Sequence, residues 1–204
     1  IARTGKPVII STGMATLAEI DQAIQTIYGA GNDQFALLKC TSAYPALPEE
    51  MNLRTIPHLA TAFNAPVGLS DHTLGIAVPV AAAALGARII EKHLTLSRAH
   101  RGPDSTFSLE PHEFRAMANA ARATEKALGE VNYRLVEREV ASRIFRRSLF
   151  VVQDMQAGDV FTKENVRSIR PEYGLSPKYL PEILGRHAAQ NIERGTPLHW
   201  RLVA

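Results

Sequence analysis

The sequence predicts an α/β protein built on a parallel sheet or barrel, followed by a small β-rich domain. Three observations support this fold class. Short apolar segments alternate with helical patterns along residues 1–128. Those apolar segments lack polar alternation, which is typical of strands that are buried on both faces. After Gly129 the pattern changes, and from Ser148 onward short β segments are separated by turns and isolated prolines.

The first βα unit combines a strand at 6–10 with a helix whose start is marked by a capping box. Thr16 is the predicted N-cap, and Glu19 lies three residues later, where its side chain can accept a hydrogen bond from the Thr16 amide. Isoleucines at helical spacing then form an apolar face. Two glycines, Gly29 and Gly31, end the helix.

Three more units with the same pattern follow the first. Their strands and helices are predicted at 35–39 and 53–63, at 66–69 and 75–85, and at 88–93 and 111–128. Pro79 fits the first turn of its helix because first-turn amides have no partner within the helix. Polar residues cluster where each strand ends, which is where α/β folds place their active sites.

The chain is thereby divided into three parts. Residues 1–128 form the α/β domain, 129–147 a charged and partly helical linker, and 148–204 the small β-rich domain. We expect Phe161 and Trp200 to lie in the core of the small domain.

The composition excludes several classes of protein. The chain has 204 residues, of which 46% are hydrophobic and 21% charged, as in ordinary globular proteins rather than disordered or collagen-like ones. No apolar run reaches the roughly 20 residues needed to span a bilayer. The net charge of +3 is small and scattered, so we expect no nucleic-acid partner. A single cysteine, Cys40, excludes an internal disulfide bond and is typical of the reducing cytoplasm.

Two histidines form the main candidate metal site. His72 ends the third strand and His93 ends the fourth, 21 residues later. Because adjacent parallel strands end at the same rim, the two imidazoles can bind one divalent ion such as Mn²⁺, Zn²⁺ or Co²⁺. Coordination positions would then remain open for a carbonyl oxygen. The alternative is that each histidine only caps its strand through a hydrogen bond.

Carboxylates lie close to these histidines in the sequence. Glu91 and His93 must point to the same side of their strand, so Glu91 can orient the imidazole or act as an acid–base group. Asp71 and Asp104 are further candidates, with turn formation as their alternative role.

Hydroxyl-rich segments end the first three strands and indicate a site for phosphate or carboxylate. They are Ser11-Thr12-Gly13, Thr41-Ser42-Ala43-Tyr44 and Ser70, with Lys39 as a nearby cation. Short hydroxyls and loop amides bind such anions in many barrels, although ordinary strand-to-helix turns use the same residues. We expect Cys40 to be buried as a small apolar side chain rather than to act as a nucleophile.

Five motifs, in this order, resemble the sialic acid synthases, which are phosphoenolpyruvate-dependent nonulosonic acid synthases. They are Ile10-Ser11-Thr12-Gly13-Met14, Lys39-Cys40-Thr41-Ser42-Ala43-Tyr44-Pro45, Gly68-Leu69-Ser70-Asp71-His72-Thr73, Glu91-Lys92-His93 and Gly102-Pro103-Asp104. The segment from Ala157-Gly158-Asp159 to Arg170-Pro171 resembles the antifreeze-like SAF domain of the same family. Within the family, the second motif and residues 104–111 are most similar to the pseudaminic acid synthases.

The resemblance implies a fold and a set of residue roles. The fold is the C-terminal half of a TIM (β/α)₈ barrel, with four βα units, followed by the SAF domain. The implied roles are metal ligation by His72 and His93, catalysis by Glu91 and Asp104 together with the two histidines, and substrate binding by Ser11, Ser42, Tyr44, Ser70 and Arg170. The family also implies a domain-swapped homodimer, in which Arg170 of one subunit enters the barrel of its partner.

The implied activity is a metal-dependent condensation of phosphoenolpyruvate with an acetamido-hexose. Mn²⁺ is the expected ion, with Mg²⁺ and Co²⁺ as alternatives. For a pseudaminic acid synthase, the sugar is 2,4-diacetamido-2,4,6-trideoxy-L-altrose and the products are pseudaminic acid and phosphate. The alternative within the family is N-acetylneuraminate or legionaminate synthesis. Outside it, the alternatives are an aldolase that uses free pyruvate and a non-enzymatic carbohydrate-binding module.

The length of the α/β domain bears on this activity. A complete barrel takes about 250 residues, whereas only 128 precede the predicted linker. The four preceding units of the family barrel, with phosphate-binding lysines and an acid–base glutamate, have no counterpart in the sequence. We therefore expect this chain by itself to be catalytically incomplete.

Overall fold

Four parallel strands form one sheet in which the strands lie in chain order. The structure is a computed structural model that describes residues 1–204. It divides into two compact units, Ile1–Glu130 and Val131–Ala204. The strands of the first unit are β1 (Val8–Ser11), β2 (Phe35–Cys40), β3 (Val67–Asp71) and β4 (Ile90–Lys92).

One α-helix follows each of these strands in the chain. These helices are α1 (Leu17–Gly29), α2 (Thr55–Phe63), α3 (Ala77–Ala84) and α4 (Pro111–Leu128). The predicted capping box of α1 is confirmed, because the Thr16 amide donates to Glu19 Oε2 at 2.7 Å and the Glu19 amide to Thr16 Oγ1 at 3.3 Å. None of the helices, including the 18-residue α4, combines the length and hydropathy needed to cross a bilayer.

One face of the sheet packs against the helices and the other is open. On the helix side, Leu37 of β2 and Leu69 of β3 are fully buried among apolar residues of α1 and α2. On the opposite side, Ile9 of β1 is 56% exposed, and Ser11 and Glu91 are exposed as well. Parallel sheets are normally covered on both faces. The first unit is therefore half of an α/β barrel whose inner face is uncovered.

The element boundaries differ slightly from the predicted ones. The helix α3 begins at Ala77 rather than at 75 because Gly75 has a φ of 76°, which is outside the helical region. The strand β4 is shorter than the predicted 88–93, yet the Arg88 amide already donates to the Val67 carbonyl at 2.7 Å. Hydrogen bonding between the β3 and β4 segments thus begins at Arg88, two residues before β4 starts.

The second unit is built around a short antiparallel pair, β5 (Ser148–Val151) and β6 (Val166–Ile169). The unit also contains two short α-helices, α5 (Glu137–Ser142) and α6 (Leu180–Ile183), and α5 lies within the predicted linker. The predicted turn at 157–159 requires its glycine, since Gly158 has a φ of 91°. The Gly158 amide donates to the Ala188 carbonyl at 2.8 Å, which ties this turn to the rest of the unit.

The core of the second unit confirms one aromatic prediction and corrects the other. Phe161 is 1% exposed and packs among leucines and valines, as predicted. Trp200 is 41% exposed, so its predicted core position is wrong. It begins a single 3₁₀ turn, Trp200–Leu202, in which Leu202 takes the buried position instead. The Trp200 ring packs edge-on against Tyr179, with 5.3 Å between the centroids.

Candidate active site

The two predicted ligand histidines lie side by side at the carboxyl ends of β3 and β4. His72 and His93 each follow the last residue of their strand, and their ring centroids are 5.2 Å apart with 66° between the planes. His72 is buried and His93 is partly exposed. The parallel register between β3 and β4 explains this proximity, because Asp71 pairs with Lys92 immediately before the two histidines.

A hydrogen bond orients the His72 ring, and a carboxylate lies close to the His93 ring. His72 Nδ1 lies 2.8 Å from the carbonyl oxygen of Thr41. Since a carbonyl only accepts, Nδ1 carries a proton, and in the neutral ring Nε2 then keeps its lone pair. His93 Nδ1 lies 3.5 Å from Asp104 Oδ2 in the loop that follows β4. Both rings thus direct Nδ1 toward a protein acceptor, which is the arrangement that leaves Nε2 available to a metal.

Glu91 is held next to the histidines by a serine on the neighbouring strand. Ser70 and Glu91 are register partners in β3 and β4, and Ser70 Oγ donates to Glu91 Oε1 at 2.7 Å. Strand alternation places this pair on the same face of the sheet as His72 and His93. These residues, with their chain neighbours, surround a cavity of about 290 Å³, lined by Ser70, Asp71, His72, Glu91, Lys92 and His93.

Aromatic rings form a wall beside the two imidazoles. The Tyr44 ring stacks on His72 with 4.2 Å between centroids and an angle of 34°. The buried Phe107 lies 5.0 Å from His93 and 5.6 Å from Tyr44, measured between centroids. The sequence reasoning missed Phe107. The only signal that could have found it is one aromatic residue in the otherwise polar loop that carries Asp104.

The predicted anion-binding hydroxyls lie at the ends of β1 and β2. Ser11 and Ser42 are exposed there. The loop after β1 approaches β2 closely, because a Cβ atom on Gly13 would lie 2.3 Å from Ser42 Oγ and 3.1 Å from Cys40 Sγ. Glycine at this position therefore permits the two hydroxyl-bearing segments to meet. Cys40 is buried, as predicted.

Lys39 is not placed where the predicted anion site needs it. It is the register partner of Leu69, whose side chain belongs to the core on the helix side of the sheet. Its ammonium group donates to the Cys40 carbonyl at 2.7 Å and to Thr41 Oγ1 at 2.9 Å. Desolvation by burial lowers the pKa of this lysine. The expectation that Lys39 helps to bind an anion is wrong because strand alternation directs it to the other face.

Asp71 also points to the helix side. Its Oδ1 accepts hydrogen bonds from the Thr73 amide and hydroxyl, which is the turn role considered as the alternative, and its Oδ2 binds Lys92. Arg170, the remaining predicted site residue, lies in the second unit, where it is exposed directly after β6.

The donor set fits a divalent metal ion held by two ligands. Two imidazoles that bind one ion through Nε2 at about 2.1 Å have centroids roughly 4.5–5.5 Å apart, and the observed 5.2 Å lies in this range. No group of three or more His, Cys, Asp or Glu side chains is arranged to hold a metal. Two nitrogen ligands would leave the other coordination positions to water and substrate oxygens.

A second cavity, of about 330 Å³, lies away from the histidines. It is formed between α3, α4 and the beginning of β4, and its walls include Ile90, Phe114 and Met117. None of the predicted site residues lines it. Charged side chains, Arg88, Arg122 and Glu125, also line it.

Comparison with known proteins identifies both parts of the chain. The NeuB family model matches residues 1–133, and the SAF domain model matches residues 146–204. The pseudaminic acid synthase of Campylobacter jejuni strain 81-176 is 46% identical over 198 residues, a match that covers 97% of this chain and 58% of the relative. The pseudaminic acid synthase of Helicobacter pylori is 42% identical over 198 residues, with the same coverage of 97% and 58%.

Among solved structures, the spore coat polysaccharide biosynthesis protein of Bacillus subtilis superimposes with a TM-score of 0.58 at 34% identity. The match covers 100% of this chain and 62% of that structure. The chain therefore spans less than two thirds of the length of each of these relatives.

Proposed function

The chain belongs to the NeuB family and ends in a SAF domain, and from this premise we propose that it is the metal-binding half of a pseudaminic acid synthase. The reaction joins phosphoenolpyruvate to 2,4-diacetamido-2,4,6-trideoxy-L-altrose and releases phosphate. The observation that carries the proposal is the convergence of His72 and His93, with Glu91 and Asp104 beside them, in a chain 42–46% identical to pseudaminic acid synthases.

The chemistry requires activation of the sugar. C3 of phosphoenolpyruvate is a weak carbon nucleophile, and it forms a bond to the aldehyde carbon of the open-chain sugar. Water adds to C2, and the bond between C2 and the phosphate oxygen then breaks, so that phosphate leaves. When bound, a divalent ion, Mn²⁺ in our proposal, supplies Lewis acidity that stabilises negative charge on the aldehyde oxygen.

The histidines prepare the site for that ion. The hydrogen bond from His72 Nδ1 to the Thr41 carbonyl holds the ring as the tautomer whose Nε2 can bind a metal. Tyr44 stacks on this ring and Phe107 packs against His93, so neither imidazole can rotate freely. Asp104 Oδ2 lies 3.5 Å from His93 Nδ1, where its charge can help to orient the second ligand.

Glu91 is the acid–base group of the proposal. It accepts a hydrogen bond from Ser70 Oγ at 2.7 Å, which fixes the carboxylate on the side where the histidines lie. A carboxylate in this position can accept a proton from the water that adds to C2 and can stabilise positive charge there. Because Ser70 already donates to Glu91, its hydroxyl would meet a substrate as an acceptor.

Hydroxyls at the ends of the first two strands are the proposed substrate contacts. Ser11 and Ser42 are exposed and can donate to the phosphate or carboxylate of phosphoenolpyruvate. Tyr44 and Asp104 lie on the side proposed for the sugar. Arg170, in a domain-swapped homodimer, would enter the partner's barrel and bind the sugar there while excluding water. We place the reaction in the cytoplasm, where a lone thiol such as Cys40 stays reduced.

A chimeric enzyme tests this function. The 204 residues replace the matching region of the Campylobacter jejuni relative, so that the rest of that enzyme supplies the complementary part. We expect phosphate release that depends on phosphoenolpyruvate, on the L-altrose derivative and on Mn²⁺. N-acetylmannosamine and the legionaminate precursor should react at least about tenfold more slowly. His72→Ala should abolish activity, while His58→Ala, on the exposed side of α2, should retain it.

Other results would contradict the proposal in distinct ways. Phosphate release without any sugar would exclude a synthase, and condensation with free pyruvate would indicate an aldolase. A preference for N-acetylmannosamine or for the legionaminate precursor would move the chain to another branch of the family. Sugar binding that is unaffected by a chelator and by His72→Ala, without turnover, would indicate a carbohydrate-binding module.

A further inference from the structure

A buried ion pair lies directly behind the two histidines, on the helix side of the sheet. Asp71 and Lys92 are register partners in β3 and β4, and their side chains are 0% and 1% exposed. The Lys92 ammonium lies 2.5 Å from Asp71 Oδ2 and 2.5 Å from the carbonyl oxygen of Thr73. Lys92 therefore bonds to the residue on each side of His72 while being itself the residue before His93.

The acidic partner completes the network. Asp71 Oδ1 accepts the Thr73 amide at 3.0 Å and the Thr73 hydroxyl at 2.8 Å. Thr73 is 0% exposed, and no buried side-chain nitrogen or oxygen in the structure is left without a hydrogen-bond partner. The backbone around His72 is thus held by one carboxylate and one ammonium group, in addition to the Ala46 amide, which donates to the His72 carbonyl at 3.1 Å.

Stability alone does not explain why charged residues occupy these positions. Removing two charges from water is costly, and replacing a buried ion pair with apolar residues of similar size often leaves stability unchanged or raises it. An apolar pair would not, however, make directional bonds to Thr73. The last register pair between β3 and β4 is Asp71 with Lys92, so no hydrogen bond of that pairing aligns the two histidines with each other; their carbonyls accept instead from the Ala46 and Leu109 amides.

We propose that Lys92, together with Asp71 and Thr73, is a positioning residue that holds His72 and His93 at the separation needed to bind one divalent ion. The side chains of Asp71 and Lys92 point to the helix side of the sheet, opposite Ser70 and Glu91. Their effect passes through the backbone on both sides of His72. This inference rests on the metal site in the proposed function.

The test separates positioning from folding. The double variant Asp71→Leu/Lys92→Met removes both charges and keeps the volume, and Asp71→Asn removes one charge while keeping the shape. The matched control is Arg122→Met/Glu125→Leu, which removes an exposed ion pair on α4. All are made in the 204-residue chain, and the thermal midpoint, the affinity for Mn²⁺ alone by calorimetry and the ¹H–¹⁵N signals of the histidine rings are measured.

We expect the double variant to unfold within a few degrees of the parent and to bind Mn²⁺ about 10–100-fold more weakly, as when supporting residues of a metal site are removed. The protected Nδ1–H signal of His72 should be lost in the metal-free double variant, and the control should match the parent. If the double variant does not fold, the same measurements of Mn²⁺ affinity and of the His72 ring signal are made on Asp71→Asn, and their result decides whether the inference holds. A folded variant that binds Mn²⁺ as tightly as the parent overturns the inference.

The inference and the proposed function can fail separately. If the parent chain itself binds no Mn²⁺, the metal site of the proposed function is wrong. The ring signals then decide the inference, because they do not depend on metal. Retention of the protected His72 signal in the double variant overturns it, and loss of that signal supports it.

Discussion

The imidazole rings of His72 and His93 lie 5.2 Å apart although 21 residues separate them in the chain. Parallel pairing of β3 with β4 brings them together, the Thr41 carbonyl binds His72 Nδ1, and Asp104 Oδ2 lies 3.5 Å from His93 Nδ1. Two residues from neighbouring strands thus form one potential ligand set without a contribution from any other strand.

Because the two ligands belong to one half of the barrel, the chain should bind Mn²⁺ by itself. His72→Ala and His93→Ala should each weaken the affinity measured by titration calorimetry by more than about 100-fold, since a single imidazole remains. His58→Ala is the control, because His58 is exposed on α2. If all three variants bound Mn²⁺ with equal affinity, the ion would have to bind at a site other than His72 and His93.

The uncovered inner face of the sheet predicts that the chain needs a complementary half-barrel for turnover. β1 and β4 each have one unpaired edge, and Ile9 and Leu94 are 56% and 57% exposed. We expect no phosphate release from the 204-residue chain alone. Adding the separately purified remainder of the Campylobacter jejuni relative, about two fifths of its length, should give a complex on size exclusion and restore activity.

A variant on the open face distinguishes association from folding. Ile9→Asp should leave the thermal midpoint of the isolated chain nearly unchanged because Ile9 is 56% exposed. It should prevent the complex from forming, since association would bury an unpaired carboxylate. Turnover by the 204-residue chain without any added protein would show that the half-barrel is sufficient.

Gly68 should be intolerant of any side chain. A Cβ atom there would lie 2.3 Å from the Ile89 carbonyl oxygen and 2.6 Å from Leu38 Cδ2, and the backbone atom cannot move without breaking the sheet. Gly68→Ala should lower the free energy of unfolding by about 1–3 kcal/mol, measured by urea denaturation. Gly29→Ala is the control, because a Cβ atom at the end of α1 meets no atom within 4 Å. Equal stability of the two variants would contradict this reading of the packing.

Glu113 should make stability depend on pH in the acidic range. The side-chain hydrogen bond from Arg98, followed by that from the Glu110 amide, lowers the pKa of Glu113 to about 2. An acid whose pKa is depressed by folding contributes stability that is complete above its unfolded value of 4.5 and is lost as the pH falls toward 2.

The difference in thermal midpoint between the parent and Glu113→Gln should therefore be largest at pH 7 and should close between pH 4.5 and 2. Glu125→Gln is the control, because its pairing with Arg122 is exposed and weak. A difference that does not change with pH would assign the effect of Glu113 to packing rather than to its charge.

Local sequence signals were sufficient for the elements and for most of the candidate site. The capping box of Thr16 and Glu19, the position of Pro79 and the bounds of α4 could be read directly, because each depends on neighbours within a few residues. The histidines could be paired because consecutive parallel strands place their ends together.

The positions of other side chains could not be predicted locally. They depend on the face of the sheet to which the side chain points, or on contacts between residues far apart in the sequence. Lys39 and Asp71 lie among polar residues in the sequence, but the structure directs both to the helix side. Phe107 reaches the histidines only through the course of a loop that has no periodic pattern. Trp200 is exposed because a single turn gives Leu202 the buried position instead.

The sequence by itself determined the succession of four βα units, the small β-rich domain after them, and the two histidines as the candidate metal ligands. These follow from apolar periodicity and from the rule that parallel strands end at one rim. Only the tertiary structure decided that Lys92 bonds to both sides of His72 and that Thr41 sets its tautomer. Those bonds join residues 19 and 31 positions apart, and register, rather than local propensity, brings them within hydrogen-bond distance.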